Sequence, residues 1–96
     1  MVATVIVRGE VVGRREFPAK DDRPAQVSLT VNDGERFSMF VEDDPQAEPL
    51  SVVDIGDMVD VRGRLRLNRG FLNIDEPELM RMGRVVWDTG ASAEVA

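Results

Sequence analysis

The 96-residue chain contains no cysteine and no histidine. Without cysteine there can be neither disulfides nor thiolate metal sites, and we expect a cytoplasmic protein. Without histidine the chain lacks the commonest general base, which excludes Ser-His-Asp and Cys-His catalysis within it. The sequence also shows no glycine-rich phosphate loop, and no spacing singles out a pair of carboxylates. We therefore expect a protein that is not an enzyme and that uses no cofactor or metal ion.

Long apolar runs and aromatic residues are equally scarce. No stretch reaches the roughly 18 apolar residues of a membrane span, and residues 1–7 lack the charged-then-apolar layout of a secretory signal. We therefore expect no membrane association. Tyrosine is absent and tryptophan occurs once, as Trp87, which we expect to pack outside the core. The remaining mixture, 43% hydrophobic and 31% charged, suits one small globular domain.

Charge is distributed unevenly along the chain, whose net charge is −6. Residues 42–60 carry seven acidic residues and no basic one, whereas residues 61–70 carry four arginines and no acidic one. Eleven of the twelve basic residues are arginine, whose planar guanidinium suits recognition of phosphate and stacking on bases. The chain therefore holds a short positive segment within an acidic protein.

Apolar and polar residues alternate with period two, which predicts β-strands and no long helix. A long first strand covers residues 4–17, where Gly9 and Gly13 would allow a bend or a bulge. Two hairpins follow, and we expect their strands to cover residues 26–31, 36–41, 58–67 and 71–74.

The segments between and after these strands carry turn and connector signals. Residues 42–50 suit an acidic connector with one short helical turn, and Pro77 is expected to interrupt the last strand. Residues 79–87 form either a short terminal strand or a packed tail. This order predicts an all-β, five-stranded Greek-key barrel over residues 1–87, followed by a flexible tail over residues 88–96.

Alternation also assigns side chains to the two faces of the predicted barrel. Val27, Leu29 and Val31 face the core, as do Phe37, Met39 and Val41 on the return strand. Leu65 and Leu67 are placed inward on the fourth strand, and Leu72 and Ile74 on the fifth. The arginines of the fourth strand and the residues Arg36, Ser38, Phe40 and Phe71 face outward.

Residues 55–66, IGDMVDVRGRLR, resemble the fourth-strand signature of OB-fold proteins, above all the G-D-x-V-x-V-x-G-R-L-R stretch of bacterial single-stranded DNA-binding proteins. Residues 70–75, GFLNID, are similar to the last hairpin of filamentous-phage single-strand binders. The resemblance implies an OB fold that binds single-stranded DNA without sequence specificity, in replication, repair or plasmid and phage DNA metabolism. It also implies a homodimer or a higher homo-oligomer.

Arg62, Arg64 and Arg66 lie at a spacing of two, which places three guanidinium groups on one face at intervals of about 7 Å. Phosphate neutralisation and stacking on aromatic rings are the two contributions to non-specific binding of single strands. Our candidate contacts are therefore the basic and aromatic residues that face outward or lie in ligand-facing loops: Arg62, Arg64, Arg66, Arg36, Arg69, Phe40, Phe71, Lys20 and Arg23.

Two interpretations of the arginine row stay open at this point. It can contact a nucleic acid, DNA or alternatively RNA, or it can be a solvated face paired with carboxylates such as Asp60, Asp75 and Glu76. Phe40 and Phe71 can likewise be stacking platforms, core residues or subunit contacts. In the second case the protein would be an OB-fold interaction or structural module that binds no nucleic acid.

Overall fold

The computed structural model describes the backbone of residues 3–88 and 91–95 and the side chains of residues 3–83. Six strands follow one another: β1 (Ala3–Phe17), β2 (Gln26–Asp33), β3 (Glu35–Glu42), β4 (Asp57–Asn68), β5 (Phe71–Asp88) and β6 (Ala91–Val95). A single turn of 3-10 helix, Pro49–Val52, interrupts the connector between β3 and β4. The expected all-β class is confirmed, whereas the short helical turn expected within residues 42–50 lies at Pro49–Val52 and extends beyond that range.

The first five strands close into a barrel in the order β1-β2-β3-β5-β4, with β4 returning to β1. Every neighbouring pair is antiparallel except β3 and β5, which close the barrel through a short parallel ladder. β1 is long enough to pair with two strands, because its residues 3–10 pair with β4 and its residues 10–17 pair with β2. The closed five-stranded barrel is consistent with the predicted OB-type architecture.

The barrel interior is filled by the alternating apolar residues of all five strands. Leu50 and Val53, from the connector, are buried in the same core. Arg14 ties this connector to β1, because its Nη2 donates a hydrogen bond of 3.0 Å to the carbonyl oxygen of Ser51. The fully or nearly buried core residues are Val7, Val11, Val27, Leu29, Val31, Met39, Val41, Leu50, Val53, Val59, Val61 and Ile74. All of the predicted inward residues of β2 and β3 lie in or against this core, whereas Leu67, predicted inward, is 69% exposed at the end of β4.

Three bulges bend the barrel wall. In β1 the register shifts between Val11 and Gly13, so Val12 is an extra residue and the alternation reverses after it. Gly13 therefore lies on the outer face with Thr30, whereas Val11 lies in the core. The other two bulges lie in β5, where Met80 is an extra residue and residues 76–77 together oppose Gly63.

The predicted interruption at Pro77 is wrong, because β5 continues through it to Asp88. Proline donates no hydrogen bond to a ladder and is tolerated at bulges, which is where Pro77 lies. Glu76 beside it adopts the left-handed region with φ of 52°. Beyond the barrel, residues 84–88 of β5 pair with β6. The division into a domain ending at residue 87 and a flexible tail stays a prediction, and the expected packing of Trp87 lies outside the described side chains.

Candidate nucleic-acid interface

The three arginines of β4 do share one outer face, as their spacing of two predicts, but each meets a carboxylate from β5. Arg62 Nη2 lies 3.2 Å from Glu78 Oε2, and Arg64 Nη2 pairs with Glu76 Oε1. Arg66 makes two hydrogen bonds to Asp75, of 2.9 Å from Nε and 3.2 Å from Nη2. We call these three pairs the arginine ladder. This is the ion-paired arrangement that was the second interpretation of the row.

The three ion pairs neutralise the charge of this face, although the side chains that form them remain exposed to water. Three guanidinium groups face three carboxylates, and the neighbouring Arg8 pairs with Asp60 at 3.4 Å. Because the ladder side chains are about half exposed or more, apart from Asp75 at 39%, each pair contributes little to stability. A polyanion approaching this wall would meet as many negative as positive charges, so the ladder supplies no net attraction.

The Arg66–Asp75 pair is the ladder pair that is joined by two hydrogen bonds. Hydrogen bonds from Arg66 hold the pKa of Asp75 below its usual range, and the nearby Arg64 charge acts in the same direction. The same hydrogen bonds, which the Asp75 carboxylate accepts, together with its charge, raise the pKa of Arg66. Asp75 is therefore ionised throughout the neutral range and remains bound to its arginine.

A second outer face, beside the ladder, is built by β2, β3 and the start of β5. In β3 the outward residues are Arg36, Ser38, Phe40 and, at the end of the strand, Glu42. The parallel register pairs Ser38 with Asn73, which places Arg36 alongside Phe71 across the β3–β5 seam. Hereafter this surface, formed by the outward side chains of Ser28, Thr30, Arg36, Ser38, Phe40, Phe71 and Asn73, is called the β3 face.

One end of the β3 face carries an aromatic pair. Phe40 is 53% exposed. Its ring lies 6.1 Å from that of Phe17, with an angle of 39° between the planes. The guanidinium carbon of Arg15 lies 5.2 Å from the centre of the Phe17 ring, a cation–π contact. Arg15 thus covers the ring of Phe17, which in turn packs against Phe40. The ring of Phe40 itself is exposed and available to a ligand.

The other end of the β3 face is an open groove of about 520 Å³ between the β2–β3 turn and the β4–β5 turn. Phe71, 69% exposed, and Arg36 form part of its lining. Thr30 and Ser38 add hydroxyl groups, and Glu35 adds one carboxylate at the turn. Among the side chains of residues 3–83, Arg36 makes no ion pair, so its guanidinium is free to meet an anion.

The three remaining candidate cations lie in turns at opposite ends of the barrel. Arg69 occupies the β4–β5 turn with φ of 52°, next to Phe71. Lys20 and Arg23 lie in the β1–β2 connection, where two backbone hydrogen bonds between them close a tight turn. All three are exposed, and within the described side chains none of them forms a salt bridge. The predicted set is therefore divided among the ladder, the two ends of the β3 face and these turns.

The alternation of apolar and polar residues did not identify Arg15, Thr30 and Asn73 as residues of the candidate interface. It also did not identify Phe17 as the ring that packs against Phe40. Thr30 and Asn73 are ordinary outward positions of β2 and β5, and the parallel β3–β5 contact brings them together. Arg15 and Phe17 face outward because of the bulge at Val12. The glycine at position 13 is the one sequence signal that indicates such a bulge.

No helix in the described part of the chain has the length and apolarity that crossing a membrane requires. No protein-family model, curated protein sequence or solved structure matches this chain. The resemblance to single-strand binders therefore stays a prediction from residues 55–75 of the sequence, and the properties of the surface are the basis for a proposed function.

Proposed function

We propose that this protein binds single-stranded DNA without sequence specificity, through the β3 face and not through the arginine ladder. The observation that carries the proposal is the presence of two exposed phenylalanine rings, Phe40 and Phe71, on one barrel face that also holds the unpaired Arg36. Exposed aromatic rings stack on any base, and neighbouring cations bind the backbone phosphates. A cytoplasmic role in replication, repair or plasmid and phage DNA metabolism belongs to the same proposal.

Stacking on the aromatic rings and phosphate binding by the cations predict different effects of mutation on DNA binding. Removing a stacking ring costs about 1–3 kcal/mol, so F40A or F71A should weaken binding roughly 5- to 150-fold at all salt concentrations. Removing a cation that neutralises a phosphate, as in R36A or R69A, should reduce the slope of log K against log salt by about 0.7 per phosphate group. The ladder should influence neither quantity.

The experiment measures the anisotropy of fluorescent oligo-dT between about 50 and 200 mM salt. The control variant, R62Q/E78Q, removes one ladder pair and keeps the net charge, and it leaves Arg66, Asp75 and Glu76 intact because they border a groove beside Phe40. We expect this variant to bind with unchanged affinity and salt slope. Failure of the unmodified protein to bind oligo-dT at the lowest salt would overturn the proposal. Loss of binding in the control variant would instead show that the arginine ladder contacts the DNA.

The negative net charge of the chain favours a second proposal, in which the protein does not bind nucleic acid. The ladder neutralises the one basic segment of a chain whose net charge is −6. In this second proposal the barrel is a protein-interaction or structural module, and the β3 face contacts another protein. It predicts that the oligo-dT titration is flat in every variant.

Ligand type and assembly are two further parts of the first proposal. Competition between matched DNA and RNA oligomers decides whether RNA is an equal ligand, because contacts to 2′-hydroxyl groups would give RNA the advantage. A small barrel covers a long strand by assembling, so we propose a homodimer or higher homo-oligomer. Sedimentation of the free protein and of its complex with a long oligo-dT tests this assembly.

A further inference from the structure

The two exposed rings of the β3 face lie at a defined separation. Phe71 is adjacent to Leu72, which pairs with Phe37, so the register places Phe71 beside Arg36. Phe40 lies four residues further along β3. At about 3.3 Å per residue, the two ring positions are separated by roughly 13 Å along the strand. One nucleotide step of an extended single strand is close to the length of two β-strand residues, so this separation corresponds to two steps.

Between the rings the surface is a row of small polar side chains. Thr30 pairs with Ser38, and Ser38 pairs with Asn73, so the three lie side by side across β2, β3 and β5. All three are partly buried, which makes this row a floor below the level of the exposed rings. The row offers hydroxyl and amide groups and no aromatic ring. A base above it would find hydrogen-bonding groups in place of a stacking platform.

Cationic groups lie beside both rings. Arg36 lines the groove with Phe71. At the other end Arg15 is opposite Ser28, and Ser28 is opposite Phe40 on its other side. Phe17 offers no third platform, since one face of its ring is covered by Arg15 and it packs against Phe40. The β3 face is therefore a unit of two rings with one position between them.

We propose, building on the single-strand binding proposed above, that the β3 face holds three consecutive nucleotides as one unit. The outer two bases stack on Phe71 and Phe40, and the middle base lies over the polar row of Thr30, Ser38 and Asn73. The middle base therefore contributes less to affinity than either neighbour. Longer strands are bound by repetition of this unit on successive protein copies.

The test uses trithymidylate phosphorylated at both ends, in which one of the three bases is replaced by an abasic sugar. Binding is measured by competition with labelled oligo-dT. We expect an abasic site at either end to weaken binding roughly 5- to 150-fold, and an abasic site in the middle to change it by less than about threefold. In F71A, the loss at one end should disappear while the loss at the other end remains, and F40A should give the opposite pattern.

Leu67→Ala is the matched control, because Leu67 is as exposed as Phe71 but is not part of the β3 face. It should keep the full abasic pattern. Equal losses at all three positions, or losses at two adjacent positions only, would overturn the spacing while leaving single-strand binding intact. If neither the intact trinucleotide nor oligo-dT binds, the proposed function itself fails, and the spacing fails with it.

Discussion

Gly63 lies opposite the bulged part of β5, and replacing it with alanine tests how closely β4 and β5 approach at this position. A Cβ atom at this position would collide with Cγ2 of Ile74 and would lie 2.9 Å from the carbonyl oxygen of Asp75 and 3.4 Å from Cα of Pro77. Two of these three neighbours are backbone atoms that cannot rotate away. Ile74 is 2% exposed and has no room to move.

The expected cost of Gly63→Ala follows from this crowding. Adding a methyl group to a packed interior costs about 1–3 kcal/mol, and the backbone contacts place this substitution at the upper end. For a domain of this size, such a loss lowers Tm by roughly 10–20 °C. Because the Asp75 carbonyl belongs to the segment that carries the ladder carboxylates, the ion pairs of Arg64 and Arg66 should be disturbed as well.

Gly13→Ala provides the control for Gly63→Ala. Gly13 also lies in a strand beside a bulge, but its added Cβ would meet only Cβ and Oγ1 of Thr30, both at 3.3 Å, which a shift of a few tenths of an ångström relieves. Both substitutions restrict the unfolded chain equally, so this effect cancels in the comparison. Urea and thermal unfolding followed by circular dichroism should show the G63A variant to be clearly less stable than G13A. Equal stability of the two variants would refute the close approach of β5 to β4.

Three further predictions concern the core and the ladder. Leu29→Ala, which removes a fully buried side chain, should lower the unfolding free energy by about 2–5 kcal/mol in urea titrations. A double-mutant cycle of R66Q and D75N should give only a weak coupling, because water screens both side chains, and the coupling should shrink when the cycle is repeated at high salt. Since hydrogen bonds from Arg66 lower the pKa of Asp75, its contribution to stability is complete above the unfolded pKa of about 3.9 and is lost as the pH falls through the lower folded value. The stability difference between the unmodified protein and D75N should therefore be constant near neutral pH and disappear in acid.

Alternation of apolar and polar residues correctly predicts the inward and outward side chains of strands that pair without a bulge. β2 and β3 pair without a register shift from Gln26 to Asp33, and their inward and outward residues are those expected. The outward row of β4 is equally predictable, since Arg62, Arg64 and Arg66 do share a face. In these segments each residue's face depends only on whether its position is odd or even, which is local information.

The partners of the arginines required information that alternation does not contain. In a regular hairpin with Asn68 opposite Phe71, Arg62 would lie opposite Pro77. The bulge at residues 76–77 advances β5 by one residue, so that Arg62 lies opposite Glu78 instead. A single extra residue thus converts an unpaired arginine into an ion pair. The bulge at Val12 similarly turns Phe17 outward toward Phe40, and neither bulge is determined by the residues of one strand alone.

A run of like charge in a sequence therefore predicts a charged surface only when the neighbouring strands are known. Residues 61–70 contain four arginines without an acid, yet three of these arginines face carboxylates that lie within residues 75–78 of the next strand. The field outside a sheet depends on the cross-strand partners, and here they cancel it. The β3 face holds one charged side chain, the unpaired Arg36, on the same surface as two exposed rings, so attraction to a single strand would come from stacking more than from net charge. On this reasoning the affinity should be only moderately sensitive to salt, with a slope set by the few free cations rather than by the three arginines of β4.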